Sequence, residues 1–177
     1  MPSILIAGSG GQGILFFGKL IAQSAMNEGK NVTWFPSYGA EMRGGTANCT
    51  VQVSDEVIGS PIVRNPDILI VLNKASMERF GSRVKKNGLL IMDSSLIKET
   101  PLRQDIGIVK VPASDIAVSL GNAMSANMVL LGALIKETGI VNEDSAINAL
   151  EELTSSRRTK TISLNKSAIK KGLQYNQ

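Results

Sequence analysis

The sequence predicts a three-layer α/β domain with a mostly parallel, mixed sheet and a helical C-terminal part. Three observations carry this. Short apolar, β-rich runs alternate with segments of helical period, which favours a parallel sheet with helices on both faces. A glycine-rich turn joins the first strand to the first helix. One later strand alternates polar and apolar residues, the pattern of a half-exposed antiparallel element.

The elements follow in order. Residues 3–7 (SILIA) form a buried strand. Over residues 14–28, Ile14, Phe17, Leu20, Ile21 and Ala25 recur at spacings of three and four, one face of a helix, with Gly29 as its C-terminal cap. Residues 31–35 (NVTWF) make a second strand, which Pro36 stops. Residues 46–54 (TANCTVQVS) are the alternating strand, and Asp55-Glu56 reads as a turn into Val57-Ile58, an antiparallel hairpin. Residues 67–72 (DILIVL), 89–92 and 107–111 are further strands, and residues 75–86 form a helix that Asn87-Gly88 ends. From Ala113 onward the chain is helical: residues 122–137 capped by Gly139, residues 142–153 with Asn142 as N-cap, and residues 165–174. The small-residue helix around residues 124–134 reads as core, with a partner-facing apolar surface as the alternative. The whole reads as one Rossmann-like domain over residues 1–177, with a helical tail from about residue 142.

Composition excludes several kinds of chemistry. The 177 residues are 43% hydrophobic and 19% charged, a globular balance that can bury a core. The net charge of +4 is scattered. Arg157-Arg158 with Lys160, and Lys170-Lys171, are its tight clusters and read as a solvated face. Aromatics at 4% leave little to stack on bases, so no nucleic-acid partner is expected. There is one cysteine, Cys49, and no histidine. That removes an internal disulfide, a self-held iron–sulfur cluster or thiolate zinc site, and any imidazole relay. Cys49 lies in a strand and reads as a small core residue. No catalytic set and no metal site is legible. Met1-Pro2-Ser3 lacks the basic region of a signal peptide, and the apolar run at 128–135 is too short to span a bilayer. The expectation is a cytoplasmic protein without a membrane partner.

The glycine turn, Gly8-Ser9-Gly10-Gly11-Gln12-Gly13, fits G-x-G-x-x-G between a strand and a helix. Glycines let a ligand approach the backbone, and the helix start presents unpaired N–H groups to a phosphate or carboxylate. A dinucleotide site also needs an acid at the end of the second strand to hold the ribose. Here that strand ends Trp34-Phe35-Pro36-Ser37, which disfavours NAD. Residues 13–20 (GILFFGKL) mimic a P-loop, but Leu20 stands where Ser or Thr must hold magnesium, inside an amphipathic helix.

A second constellation, Tyr38-Gly39-Ala40-Glu41-Met42-Arg43-Gly44-Gly45-Thr46, leaves the second strand beside the glycine turn. It sets a phenol, a carboxylate and a guanidinium in a glycine-hinged loop. Glu41 and Arg43 can pair with each other, meet a partner, or clamp an anion.

These two loops together carry a resemblance. GSGGQG at 8–13, YGAEMRGGT at 38–46, PDILIVLN at 66–73, VPASDIAVSLGN at 111–122 and NMVLLGAL at 127–134 resemble the gamma subunit of the 2-oxoacid:ferredoxin (acceptor) oxidoreductases, the pyruvate/ketoisovalerate oxidoreductase gamma-domain family. The resemblance covers the chain up to about Leu153. It implies a subunit of an enzyme that oxidatively decarboxylates a 2-oxoacid to acyl-CoA while reducing ferredoxin. Thiamine diphosphate and iron–sulfur clusters would sit in partner subunits, alpha and beta with or without delta. This chain would be inactive alone and contribute CoA binding and assembly. Carried over position by position, Gly8, Gly10, Gly11, Gln12 and Gly13 match the first loop. Tyr38, Gly39, Glu41, Arg43, Gly44 and Gly45 match the second, and Asn127 matches a polar position on the small-residue helix. The form GAEMRGGTAN is more similar to members acting on 2-oxoglutarate or branched-chain 2-oxoacids than on pyruvate, with 2-oxoglutarate the leading choice. The alternative is a freestanding CoA- or nucleotide-binding α/β protein. A partner-facing surface also gives the isolated chain a route to a homodimer.

Overall fold

The computed structural model describes residues 1–37, 46–99 and 101–177. Six strands form one sheet in the order β2-β3-β1-β4-β5-β6. They are β1 (Ser3–Ser9), β2 (Asn31–Ser37), β3 (Thr46–Ser54), β4 (Ile68–Val71), β5 (Leu89–Asp93) and β6 (Gly107–Val111). β1, β4, β5 and β6 run parallel, β3 is antiparallel to β1, and β2 is antiparallel to β3. The expected mixed, three-layer α/β architecture is what the chain adopts.

The helices are α1 (Ile14–Asn27), α2 (Lys74–Phe80), α3 (Ala113–Ser119), α4 (Ala126–Thr138), α5 (Glu143–Leu153) and α6 (Thr159–Gln174). Alternate β1 residues serve two cores. Ile4 and Ile6 pack with α1, α3, α4, α5 and α6, whereas Leu5 and Ala7 face a smaller cluster with Phe80 of α2, Val84 and Ile97. The strand-facing periodicity of two sorts side chains between the layers. α4 is buried along its length from Ala126 to Ile135, so it is a core helix and not a partner surface. It crosses α6 backbone to backbone. A Cβ on Gly132 would stand 2.0 Å from Ile169 O, and one on Gly172 2.0 Å from Val129 O.

Several sequence expectations are corrected. The hairpin does not form at residues 57–58. Both edges of β3 are already paired, with β1 and β2, so no edge is left for it. The segment after β3 instead turns on the Glu56 N–H bonded to Ser54 Oγ at 3.0 Å, and Gln52 Nε2 holds Ser60 O at 2.7 Å. Pro36 does not end β2, which continues to Ser37 as an edge strand. An edge tolerates a residue that lacks an N–H. α2 stops at Phe80 and passes through a 3-10 turn at Gly81–Arg83. α4 starts after a separate 3-10 turn, Ala123–Ser125, and α6 starts at Thr159, earlier than expected. Asn142 occupies the N-cap position of α5 without a side-chain capping bond. Its N–H donates to Glu28 Oε1 at 2.6 Å, joining α5 to the end of α1. No helix among the described residues is long and apolar enough to cross a membrane.

Candidate functional site

The glycine turn leaves β1 and enters α1 at the end of the sheet where the parallel strands finish. α1 packs on one face and α2, which follows the neighbouring strand β4, packs on the other. The β1–β4 gap is therefore the switch point at which open α/β sheets hold ligands. In this chain side-chain amides bridge it. Gln12 Oε1 accepts from the Ser9 N–H at 2.7 Å, while Gln12 Nε2 donates to Leu72 O at 3.1 Å. Asn73 Nδ2 donates to Ser9 Oγ at 2.5 Å, and Asn73 Oδ1 caps α2 by accepting from Ser76 N at 2.8 Å. Gln12 thus spends both ends of its amide shaping the loop.

The other side of the turn is different. Gly13 is the N-cap of α1 with φ 72°, and α1 has no side-chain cap and no acid in its first turn. The unpaired N–H groups and the positive helix end are left for an anion. Gly11 is also left-handed, with φ 91°. Behind Gly13 lies Asn127 of α4, 5% exposed, whose Nδ2 donates to Gly13 O at 3.3 Å. A Cβ on Gly13 would meet that Nδ2 at 2.3 Å, so residue 13 must be glycine on two counts. Asn127 and Gly13 share the wall of a cavity of about 380 Å³ that also takes in Phe16, Met124, Arg158 and Asn165. Its volume is at the low end for small-molecule sites. The structure thus joins Gly13 and Asn127, which the sequence placed in separate motifs. It adds Phe16, Arg158 and Asn165, which sequence reasoning missed.

Tyr38, Gly39, Glu41, Arg43, Gly44 and Gly45 lie outside the described residues. The residues flanking them sit at the glycine-turn end of the sheet. Ser37 pairs with Asn48, as does Ala7, and Thr46 pairs with Ser9.

Elsewhere, Trp34 Nε1 and Ser76 Oγ are buried without a hydrogen-bond partner among the described residues. Asp93, at the end of β5, is fully buried, and its carboxylate accepts from Ser95 N at 3.0 Å, Ser114 N at 3.3 Å and Ser114 Oγ at 2.6 Å. Cys49 is fully buried under α1, where a Cβ on Gly18 would come 2.5 Å from its Sγ. Burial pushes the thiol up to about 12, and the Sγ–H donates to Ile14 O at 3.5 Å. It is a core residue with no thiolate to offer. The close packing of Gly18, with Lys19 Nζ 5.1 Å from the Trp34 ring centre, also disposes of the P-loop mimic. A cavity of about 330 Å³ at the opposite end of the sheet is lined by Asp55 and Glu56 together with Lys30, a mixed set of charges. Among the described residues no group of three or more His, Cys, Asp or Glu is placed to hold a metal ion.

Fold and turn together define a Rossmann-like α/β domain with a glycine-built helix start, free of a side-chain cap, opening on a small cavity. The chain belongs to the pyruvate ferredoxin/flavodoxin oxidoreductase family, whose model matches residues 3–175. It is 35% identical over 174 residues to the ketoisovalerate oxidoreductase subunit VorA of Methanothermobacter marburgensis, covering 97% of this chain and 36% of that one. The chain thus spans about a third of the length of these relatives. It is 33% identical over 150 residues to the 2-oxoglutarate synthase subunit KorC of Methanocaldococcus jannaschii, covering 83% of this chain and 80% of that one. Its structure is similar to the gamma subunit of a keto/oxoacid ferredoxin oxidoreductase from Geobacter sulfurreducens, with a TM-score of 0.85, 27% identity, and coverage of 98% and 97%. It is also similar to 30% of a chain of the 2-oxoglutarate:ferredoxin oxidoreductase from Magnetococcus marinus solved with 2-oxoglutarate, coenzyme A and succinyl-CoA bound. That match has a TM-score of 0.89 and 25% identity, and covers 97% of this chain.

Proposed function

We propose that this chain is the gamma component of a cytoplasmic, multi-subunit 2-oxoacid:ferredoxin oxidoreductase and holds part of the CoA that accepts the acyl group. The observation that carries this is the meeting of Gly13 and Asn127 on one cavity at an uncapped helix start. Two sequence-distant motifs of the family converge there on a surface suited to phosphate. The N–H groups of Gly10, Gly11 and Gly13 and the first turn of α1 would face the pyrophosphate. Gly8 and Gln12 fix the shape of the loop without touching the ligand. Asn127 would position Gly13 and meet the ligand with its remaining oxygen. Tyr38, Glu41, Arg43 and Gly44 are proposed as further CoA contacts, as the family resemblance implies.

Thiamine diphosphate and iron–sulfur clusters belong to the partner subunits in this reading. Cys49, alone and buried, cannot supply a cluster's thiolates. The proposed work of this chain is to bind and orient CoA, and to join the alpha and beta subunits, with or without delta, that pass electrons to ferredoxin. The 2-oxoacid is 2-oxoglutarate in the leading form of the proposal, and a branched-chain 2-oxoacid is its competitor, favoured by the VorA match. The test is co-purification from the source cell followed by assay. The complex is expected to contain larger, cysteine-rich subunits and to reduce ferredoxin only with both a 2-oxoacid and CoA. The ratio of kcat/KM on 2-oxoglutarate and 3-methyl-2-oxobutanoate decides the substrate. A solitary chain, or one that decarboxylates a 2-oxoacid by itself, contradicts the proposal.

A further inference from the structure

We propose that Arg158, with Asn165 on the same cavity wall, reads the 3′-phosphate of CoA and gives the enzyme its preference for CoA over dephospho-CoA. This rests on the CoA reading above. Arg158 belongs to the basic cluster that the sequence presents as a solvated face. The structure carries it from the far end of the chain to the cavity beside Gly13, where it is the one charged residue among the described residues lining it.

Three observations support the assignment. First, Arg158 has no counter-ion among the described residues. The two acids in the last turns of α5 are already engaged: Glu151 pairs with Lys166, and Glu152 accepts from Gln23 and Asn27. The Arg158 guanidinium itself bonds to no described residue. Second, two carboxamides on the cavity wall are more than nine-tenths buried and half-satisfied. Asn165 Oδ1 accepts from Ser125 Oγ at 2.7 Å, which leaves its Nδ2 donor without a partner among the described residues. Asn127 gives its Nδ2 to Gly13 O, which leaves its Oδ1 free in the same sense. Neither free end is among the buried atoms that lack a partner, so both reach the cavity surface, open to a ligand. Third, the arrangement fits a phosphate monoester. A planar guanidinium fork and an amide N–H form a charge-assisted donor set for phosphate oxygens. The glycine turn supplies a separate set of backbone donors for the pyrophosphate. The exposed apolar edge of Met124 and Leu153 adds a surface for the adenosine.

Dephospho-CoA lacks only the 3′-phosphate and isolates this contact. With the assembled complex, wild type is expected to show a KM for CoA about tenfold below that for dephospho-CoA. Arg158→Gln raises the KM for CoA to meet that for dephospho-CoA, and Arg158→Lys recovers part of the difference because charge returns without the fork. Raising ionic strength shrinks the wild-type preference and leaves the Arg158→Gln ratio flat. A wild-type enzyme that does not discriminate, or an Arg158→Gln variant that keeps the preference, overturns the proposal. Gly13→Val separates the two levels. If it weakens both cosubstrates while Arg158→Gln leaves their ratio intact, the CoA site stands and the role of Arg158 falls. If Gly13→Val changes neither KM, the CoA reading falls and the role of Arg158 with it.

Discussion

The two sides of the glycine turn are built to opposite ends. Toward β4, the switch-point gap is closed by the amides of Gln12 and Asn73, each with both ends hydrogen-bonded. Toward α4 and α6, Asn127 and Asn165 each have one end bonded and the other open to a cavity. The same residue type therefore locks one side and leaves donors and acceptors for a ligand on the other. The comparison teaches that a glycine turn is a scaffold with a direction. Which neighbour satisfies its surroundings decides where a ligand can enter.

The largest expected effect comes from breaking the wall behind the open side. Gly172→Ala drives a methyl into Val129 O, where backbone cannot yield, and should cost about 3 kcal/mol of stability. Urea denaturation against wild type measures it, and a cost near zero would show that α4 and α6 are not held in backbone contact. Next is Gly13→Val, which strains a left-handed residue and displaces Asn127. The kcat/KM for CoA of the assembled complex should fall about a hundredfold.

The closed side should respond in the other currency. Gln12→Leu leaves the Ser9 N–H and Leu72 O without Gln12 and should cost about 2 kcal/mol in the same denaturation assay. Its KM for CoA should move less than about threefold, since the account gives Gln12 no ligand contact. Equal losses of CoA affinity in Gln12→Leu and Gly13→Val would erase the distinction between the sides.

The last effect is silent near neutral pH and shows only as a pH dependence in alkaline solution. Burial raises the Cys49 thiol from 9.0 to about 12, so between those values the unfolded chain ionises and the folded one does not. The unfolded state then binds fewer protons, and stability, complete below about pH 9, declines as pH rises toward 12. Cys49→Ala should flatten that part of the urea midpoint profile. An unchanged slope would mean the thiol ionises in the folded protein.

Much of this was legible in the sequence, and the failures share a cause. The bounds of β3 and β6, the helix that follows the glycine turn, and the burial of α4 all follow from local pattern. The pairing of β3 with both β1 and β2 does not, because an alternating strand reveals its exposed face but not its neighbours. Pro36 reads as a stop unless β2 is known to be an edge. At the site, Gly13 and Asn127 were named from separate motifs, and only packing shows that they touch. Arg158 and Asn165 carry no local signal of function, since charge and amides near a helix start usually mean solvent. Only the crossing of α6 over α4, permitted by Gly132 and Gly172, brings them to the cavity. That glycine pair was visible in the sequence, and it was the available clue.

Hydrogen–deuterium exchange of the assembled complex, with and without CoA, tests the direction of the turn most directly. The account predicts that CoA slows exchange at residues 10–16, at 123–127 and across 154–165, and leaves residues 73–76 beside the closed gap unchanged. Protection confined to residues 73–76 and 93–97, with none across 154–165, would place the ligand on the side that Gln12 and Asn73 close and would contradict the account.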